Sequence, residues 1–150
     1  CVAMQNDILM KFDEVIDHKK TLAFIYEDKR PEASVNDIAV IISGILNWKK
    51  TWSESDINSY LKFYDKDFER YDGMSLENFK NMKRAIFSKK EKKHIAFSNF
   101  LITPYPNLKN DKLFRVSFYE DYAADTHKFA GQKTLYVKLY GDEMKIFIEE

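Results

Sequence analysis

One cysteine among 150 residues excludes an internal disulfide framework and any cysteine-rich zinc site. The three histidines, His18, His94 and His127, lack metal-ligand spacing, so neither a metal nor another cofactor is expected. Charge of one sign is missing as well: 24 basic and 24 acidic residues cancel. Without a net positive field there is no electrostatic case for a nucleic-acid partner or an anionic membrane surface. The densest basic run, KKEKK at 89–93, reads as a solvated helix end. No apolar run approaches the roughly 20 residues that span a bilayer, so no integral membrane segment is expected. No signal peptide, internal repeat or low-complexity tract is visible.

What is present is a hydrophobic fraction of 45%, with aromatics at 15%, enough to bury a substantial core. The length suits one domain, or one domain with a piece of a neighbour. From Gln5 to Ile16 the apolar residues Ile8, Leu9, Phe12, Val15 and Ile16 recur at helical spacing, and Asn6 or Asp7 can cap the start. TLAFIYE, 21–27, reads as a short strand, and the charged, proline-containing EDKRPEAS marks a boundary near 28–33. Ser34 with Asp37 forms a helix-start signature for a long helix to about Thr51. Its wide apolar face, Ile38, Ile41, Ile42, Ile45, Leu46, Trp48 and Trp52, is suited to lie on a sheet. SESD at 53–56 launches a further helix through Ile57, Tyr60, Leu61 and Tyr64 that ends in a turn-like DKDF, and SLENFKNMKRAIF predicts another from about Ser75 to Lys89.

Beyond that point the period changes from 3.6 to 2. HIAFSNFLITPY, KLFRVSFYEDY, QKTLYVKLY and MKIFIEE are four strand candidates separated by PNLKND, AADTHKFAG and GDE. Three helices followed by a run of strands predict an α+β fold with helices on one face of an antiparallel sheet.

This order resembles the nuclear transport factor 2-like, or SnoaL-like, cone fold. The resemblance is carried by WKKTWSESDINSYLKFYDKDF at 48–68, with Trp48, Trp52, Asp56, Tyr60, Tyr64 and Phe68 at the spacing of the superfamily's first helices, by FYEDY and QKTLYV, and by the closing MKIFIEE. It covers residues 34–150. It implies three helices on a curved antiparallel sheet, with a cleft between the two that serves as a binding pocket in such folds. For Trp48, Trp52, Tyr60 and Tyr64 the plain reading is core filling. The functional one is an aromatic wall that stacks on a ligand. Arg115, Ser117, Tyr119 and Asp121 share one strand face because side chains alternate, and they are the polar candidates for the cleft lining.

The opening CVAMQND resembles the end of the catalytic motif of YkuD-type L,D-transpeptidases, S-x-G-C-I/V-R-M/L-x-N-x-D. Cys1, Val2, Met4 and Asn6 match it, Asp7 stands one place early, and Ala3 replaces the arginine that holds anionic substrate in that family. A YkuD-like end followed by a cone domain resembles the peptidoglycan L,D-carboxypeptidases and L,D-transpeptidases that set cell shape in helical Gram-negative bacteria. That resemblance implies residues 1–30 as the end of a catalytic domain, residues 34–150 as an accessory domain, a peptide stem of peptidoglycan as partner, and the periplasm as location. Cys1 would be the nucleophile that forms an acyl-enzyme and releases the terminal D-alanine of a tetrapeptide stem. Water, or in a transpeptidase the amine of another stem, then resolves the intermediate. The histidine that raises the thiolate fraction lies upstream in the family, and none of His18, His94 or His127 matches its position, so the 150 residues alone are expected to be inactive.

Two alternatives stay open beside the enzyme. One is a non-enzymatic binding module whose aromatic cleft takes a glycan, a peptide or a protein. The other is a homodimer through the open sheet face.

Overall fold

The computed structural model describes residues 3–17, 21–26, 30–109 and 111–150. Helix α1, Asn6–Asp13, carries the expected apolar stripe, but none of its residues is buried. Its N-cap is Gln5, with no side-chain cap bond, rather than Asn6 or Asp7. No strand forms over 21–26, where Leu22, Phe24, Ile25 and Tyr26 are exposed. A strand is stable only against a partner strand, and the sheet places none there.

Helix α2, Val35–Ser53, starts where the capping signature put it: Ser34 Oγ accepts from the Asp37 amide at 3.1 Å, and the Ser34 amide donates to Asp37 Oδ2 at 3.0 Å. One stripe of it is buried, Ile41, Ile45, Trp48 and Trp52, while Ile38 and Leu46 remain exposed. Helix α3 spans only Ile57–Leu61, capped by Asp56, and α4, Leu76–Phe87, is capped by Ser75.

Five strands follow the order β1-β5-β4-β3-β2 in a single sheet: β1, Tyr64–Arg70; β2, His94–Pro104; β3, Leu113–Ala123; β4, Lys128–Tyr140; and β5, Glu143–Glu149. The fold is therefore the expected α+β cone, with one strand more than the sequence pattern predicts. The residues read as the end of a helix and a turn, Tyr64 through Phe68, form β1, which pairs parallel to β5. Tyr64 and Phe68 both face the core, as residues four apart in a strand share one face. Positions four apart also share a face in a helix, so the pair imitates helical period. The loop read from AADTHKFAG gives its second half to β4, because β3 pairs with β4 along its full length to Ala123↔Lys128.

The sheet bends where β2 breaks register between Ser98 and Leu101. Asn99 sits there at φ 56°, a left-handed conformation that asparagine tolerates better than most residues. The concave face receives α2, and the core between them includes Phe114, Val116, Phe118, Leu135, Val137 and Ile146. Gly44 permits the close approach, since a Cβ there would lie 2.9 Å from Met144 Cβ.

Candidate functional site

The four aromatic cleft candidates meet inside the cone. They fill it rather than line an open cleft: Trp48 and Tyr60 are 0% exposed, Trp52 is 8% and Tyr64 is 6%. Trp48 stacks on Tyr60 at 5.8 Å and on Phe97 at 5.8 Å, and Trp52 stacks on Tyr122 at 5.2 Å.

Arg115, Ser117, Tyr119 and Asp121 do share one face of β3, but it is the outer one. The inner positions are Phe114, Val116, Phe118, Glu120 and Tyr122, all buried. Arg115 reaches Thr134 Oγ1 at 3.4 Å on the same outer face, and Tyr119 is exposed. These four side chains therefore do not line the interior with the aromatics. Cys1 lies outside the described residues.

What the interior does contain, and the sequence reading missed, is a set of charges. Lys133 Nζ on β4 donates to Glu149 Oε1 on β5 at 2.7 Å and lies 4.0 Å from Glu120 Oε2 on β3. Tyr64 donates its hydroxyl proton to Glu149 Oε2 at 2.8 Å. With that proton committed, Tyr64 Oη accepts from Tyr60 Oη at 2.7 Å and from Trp48 Nε1 at 3.3 Å. Glu120 is the exception. Its Oε2 is buried without a hydrogen bond among the described residues, a costly state for a carboxylate oxygen.

The electrostatics follow from these distances. Burial would raise the Glu149 carboxyl, but Lys133, Lys83 and the bonds from Lys133 and Tyr64 outweigh it and hold the group at about 2. Burial lowers the Lys133 ammonium, yet Glu149 and Glu120 reverse this and raise it. Burial, reinforced by the Glu149 charge, raises both tyrosines well above their ordinary value. At neutral pH the relay is thus an ionised carboxylate, an ammonium and two neutral phenols. A network of this kind rigidifies the interior around it. Glu120 is raised by burial, with Lys133 opposing and Glu149 adding to the rise.

A signal for these residues was available in the sequence. Glu120 alternates with Phe118 and Tyr122, and Lys133 with Leu135 and Val137, so each is a charge at an inward position of a strand. Lys83 stands four residues from both Phe79 and Phe87 on the buried side of α4.

Two grooves open elsewhere to solvent. One of about 590 Å³ lies between Phe24, Tyr26 and residues 30–33 on one side and the end of β2 at Thr103 and Pro104 on the other. Another of about 660 Å³ lies between α2 and β5, around Val40, Phe63 and Met144. No group of three or more His, Cys, Asp or Glu side chains suited to a metal occurs among the described residues.

Comparison with known proteins places this geometry. The chain is similar to the helical cell shape determining protein Pgp2 of Campylobacter jejuni, in a point-mutant crystal structure, at 43% identity and TM-score 0.92, covering 100% of this chain and 52% of that one. Bd1075 of Bdellovibrio bacteriovorus matches at 25% identity and TM-score 0.76, over 98% of this chain and 52% of that one. The chain thus spans about half the length of each. An NTF2-like protein of Pseudomonas putida KT2440, at 11% identity and TM-score 0.63 over 77% of this chain and 85% of that one, shares the fold. No curated protein matches the sequence. The family model of the Cds6 C-terminal NTF2-like domain matches residues 40–150, and the chain belongs to that family.

Proposed function

We propose that residues 34–150 are the accessory domain of a peptidoglycan-modifying cysteine L,D-carboxypeptidase of the periplasm and hold the peptide stem for it. Residues 1–30 are the end of its catalytic domain, with Cys1 as the nucleophile. The carrying observation is the similarity to a cell-shape determining protein over the whole chain, at 43% identity. Two features support it. The interior charges set out above form a polar site at the heart of a domain that otherwise has an apolar core. The apolar stripe of α1, with Ile8 50% and Leu9 49% exposed, fits a catalytic domain that would cover it.

In this reading the Cys1 thiolate attacks the carbonyl before the terminal D-alanine, D-alanine leaves with its amine, and water hydrolyses the thioester. A second stem amine in place of water gives the cross-link of a transpeptidase. The test is digestion of muropeptides by the parent protein, wild type against Cys1→Ala, with products followed by mass. Tetrapeptide converts to tripeptide with the wild type alone if the reading holds. Equal conversion by both proteins, or by neither, overturns the nucleophile assignment, and the accessory domain then stands as a binding module.

A further inference from the structure

The groove of about 660 Å³ between α2 and β5 combines two unlike surfaces. Along the helix, Ser43, Asn47 and Thr51 follow one another at intervals of four residues, so three successive turns present a hydroxyl, an amide and a hydroxyl, each about 6 Å from the next. Thr51 Oγ1 donates to the Trp48 carbonyl at 2.8 Å and keeps its lone pairs. Ser43 and Asn47 are exposed, and among the described residues neither side chain has a hydrogen-bond partner. The apolar surface comes from Val40 and Phe63, both half-buried, and from Met144, which is 4% exposed. Gly44 lets β5 come close enough to α2 for Met144 to form part of the lining.

This lining disfavours three classes of occupant. An anion needs an uncompensated cation, whereas Lys62 and Lys145 on the rim are matched by Asp142 and Glu143. Lys145 is also committed, lying 3.4 Å from Glu143 Oε2 and donating to the Lys62 carbonyl at 2.9 Å. An extended peptide docks by pairing with a free strand edge, but β5 is paired on both sides, to β1 and to β4. A wholly apolar ligand would cover the Ser43 hydroxyl and the Asn47 amide without pairing them, at the desolvation cost of each. What fits is a neutral ligand with an apolar face and a border of hydroxyls and amides. A pyranose ring supplies the apolar face through its C–H groups, and hydroxyls surround it. An acetamido substituent supplies the amide, whose N–H and C=O match the acceptor and donors of an asparagine side chain.

We propose that this groove is a subsite for the N-acetylated sugars of a glycan strand, in which Asn47 exchanges hydrogen bonds with an acetamido group, Ser43 and Thr51 bond sugar hydroxyls, and Val40, Phe63 and Met144 take the acetyl methyl. The helix offers one polar side chain per turn, and a strand of linked sugars offers one ring per step of similar length. The inference deepens the peptidoglycan reading given above and rests on it, adding the glycan to the stem. None of the lining residues belongs to the interior charge relay, so stem and glycan do not compete for the same groups.

The test titrates the 150-residue chain with the β-1,4-linked tetramer of N-acetylglucosamine. The tetramers of glucosamine and of glucose are the controls, lacking the acetyl group and the whole acetamide. Binding is read from the Asn47 side-chain amide and the Met144 methyl resonances, and folding from near-ultraviolet circular dichroism. The N-acetylated tetramer is expected to shift both resonances, and each control to bind at least about tenfold more weakly. Asn47→Ala, followed through Met144, should lose about tenfold, and so should Ser43→Trp, which fills the groove from an exposed position of α2. Equal binding of the three tetramers, full binding by either folded variant, or no shift in the wild type each overturns the subsite. Sedimentation with intact sacculi and with glycan strands stripped of their stems by an amidase separates the two claims. Binding to both that weakens in Asn47→Ala supports the subsite. Binding to sacculi but not to stripped strands removes the subsite and keeps the function, whereas binding to neither removes both.

Discussion

Replacing Glu149 by glutamine tests the interior charge relay directly. The change keeps the side chain's shape but removes the charge that lies 2.7 Å from Lys133 and accepts the Tyr64 proton at 2.8 Å. Two routes give its magnitude. Breaking a buried ion pair by removing one partner costs about 3–5 kcal/mol, since the remaining ion stays desolvated. Linkage gives a similar figure: the carboxyl moves from an ordinary 4.5 to about 2 on folding, and at about 1.4 kcal/mol per pH unit this is roughly 3 kcal/mol. Glu120, already 4.0 Å away, can draw closer to Lys133 and recover part of the loss, so about 3 kcal/mol is the better expectation. For a chain of this length that lowers Tm by about 6–12 °C.

The sign with pH is also determined. As the pH falls, the unfolded carboxyl takes its proton first, near 4.5, while the folded one resists until about 2. The stabilisation is complete above pH 4.5 and vanishes between there and 2. Glu120 acts in the opposite sense: its raised carboxyl makes ionised Glu120 a cost above its folded pKa that acid relieves. Urea unfolding of wild type and Glu149→Gln at pH 7 and at pH 3 measures both effects. The gap between the two proteins should be about 3 kcal/mol at pH 7 and clearly smaller at pH 3. A gap under about 1 kcal/mol at pH 7, or one that widens in acid, would refute the relay as drawn.

Other substitutions probe how the scaffold holds this site. Gly44→Ala introduces a Cβ 2.9 Å from Met144 Cβ and 3.1 Å from its Sδ; overpacking costs about 1–3 kcal/mol and outweighs the better helix propensity of alanine, so a lower urea midpoint is expected. Ser34→Ala removes the side-chain half of the α2 capping box and should cost about 1 kcal/mol in the same assay. It should also raise the carboxyl of Asp37, now held at about 2 by bonds from Lys112 and Ser34, which two-dimensional NMR titration of Asp37 would detect.

Periodicity by itself determined most of the elements. The capping residues Ser34, Asp56 and Ser75 name the starts of three helices, because N-capping is a contact between neighbours in sequence. Alternation likewise predicted β2 to β5, since a half-buried strand must show it. The exchange of helix for strand at Tyr64–Phe68 was hidden because residues four apart share a face in a strand as they do in a helix, and only the pairing with β5 reveals it. The strand expected over 21–26 failed for the converse reason, having β-forming residues and no partner.

Only the tertiary structure decided which face of β3 looks inward. Alternation correctly grouped Arg115, Ser117, Tyr119 and Asp121, but a period of two does not say which set meets the helices. Packing settles that, because Phe114, Val116, Phe118 and Tyr122 bury far more apolar area, and they carry Glu120 inward with them. The meeting of Lys83, Glu120, Lys133 and Glu149 from α4, β3, β4 and β5 was beyond local pattern altogether. Each is an ordinary charge in its own segment, and becomes part of a site when the sheet curves around the helices and brings four distant segments to one point.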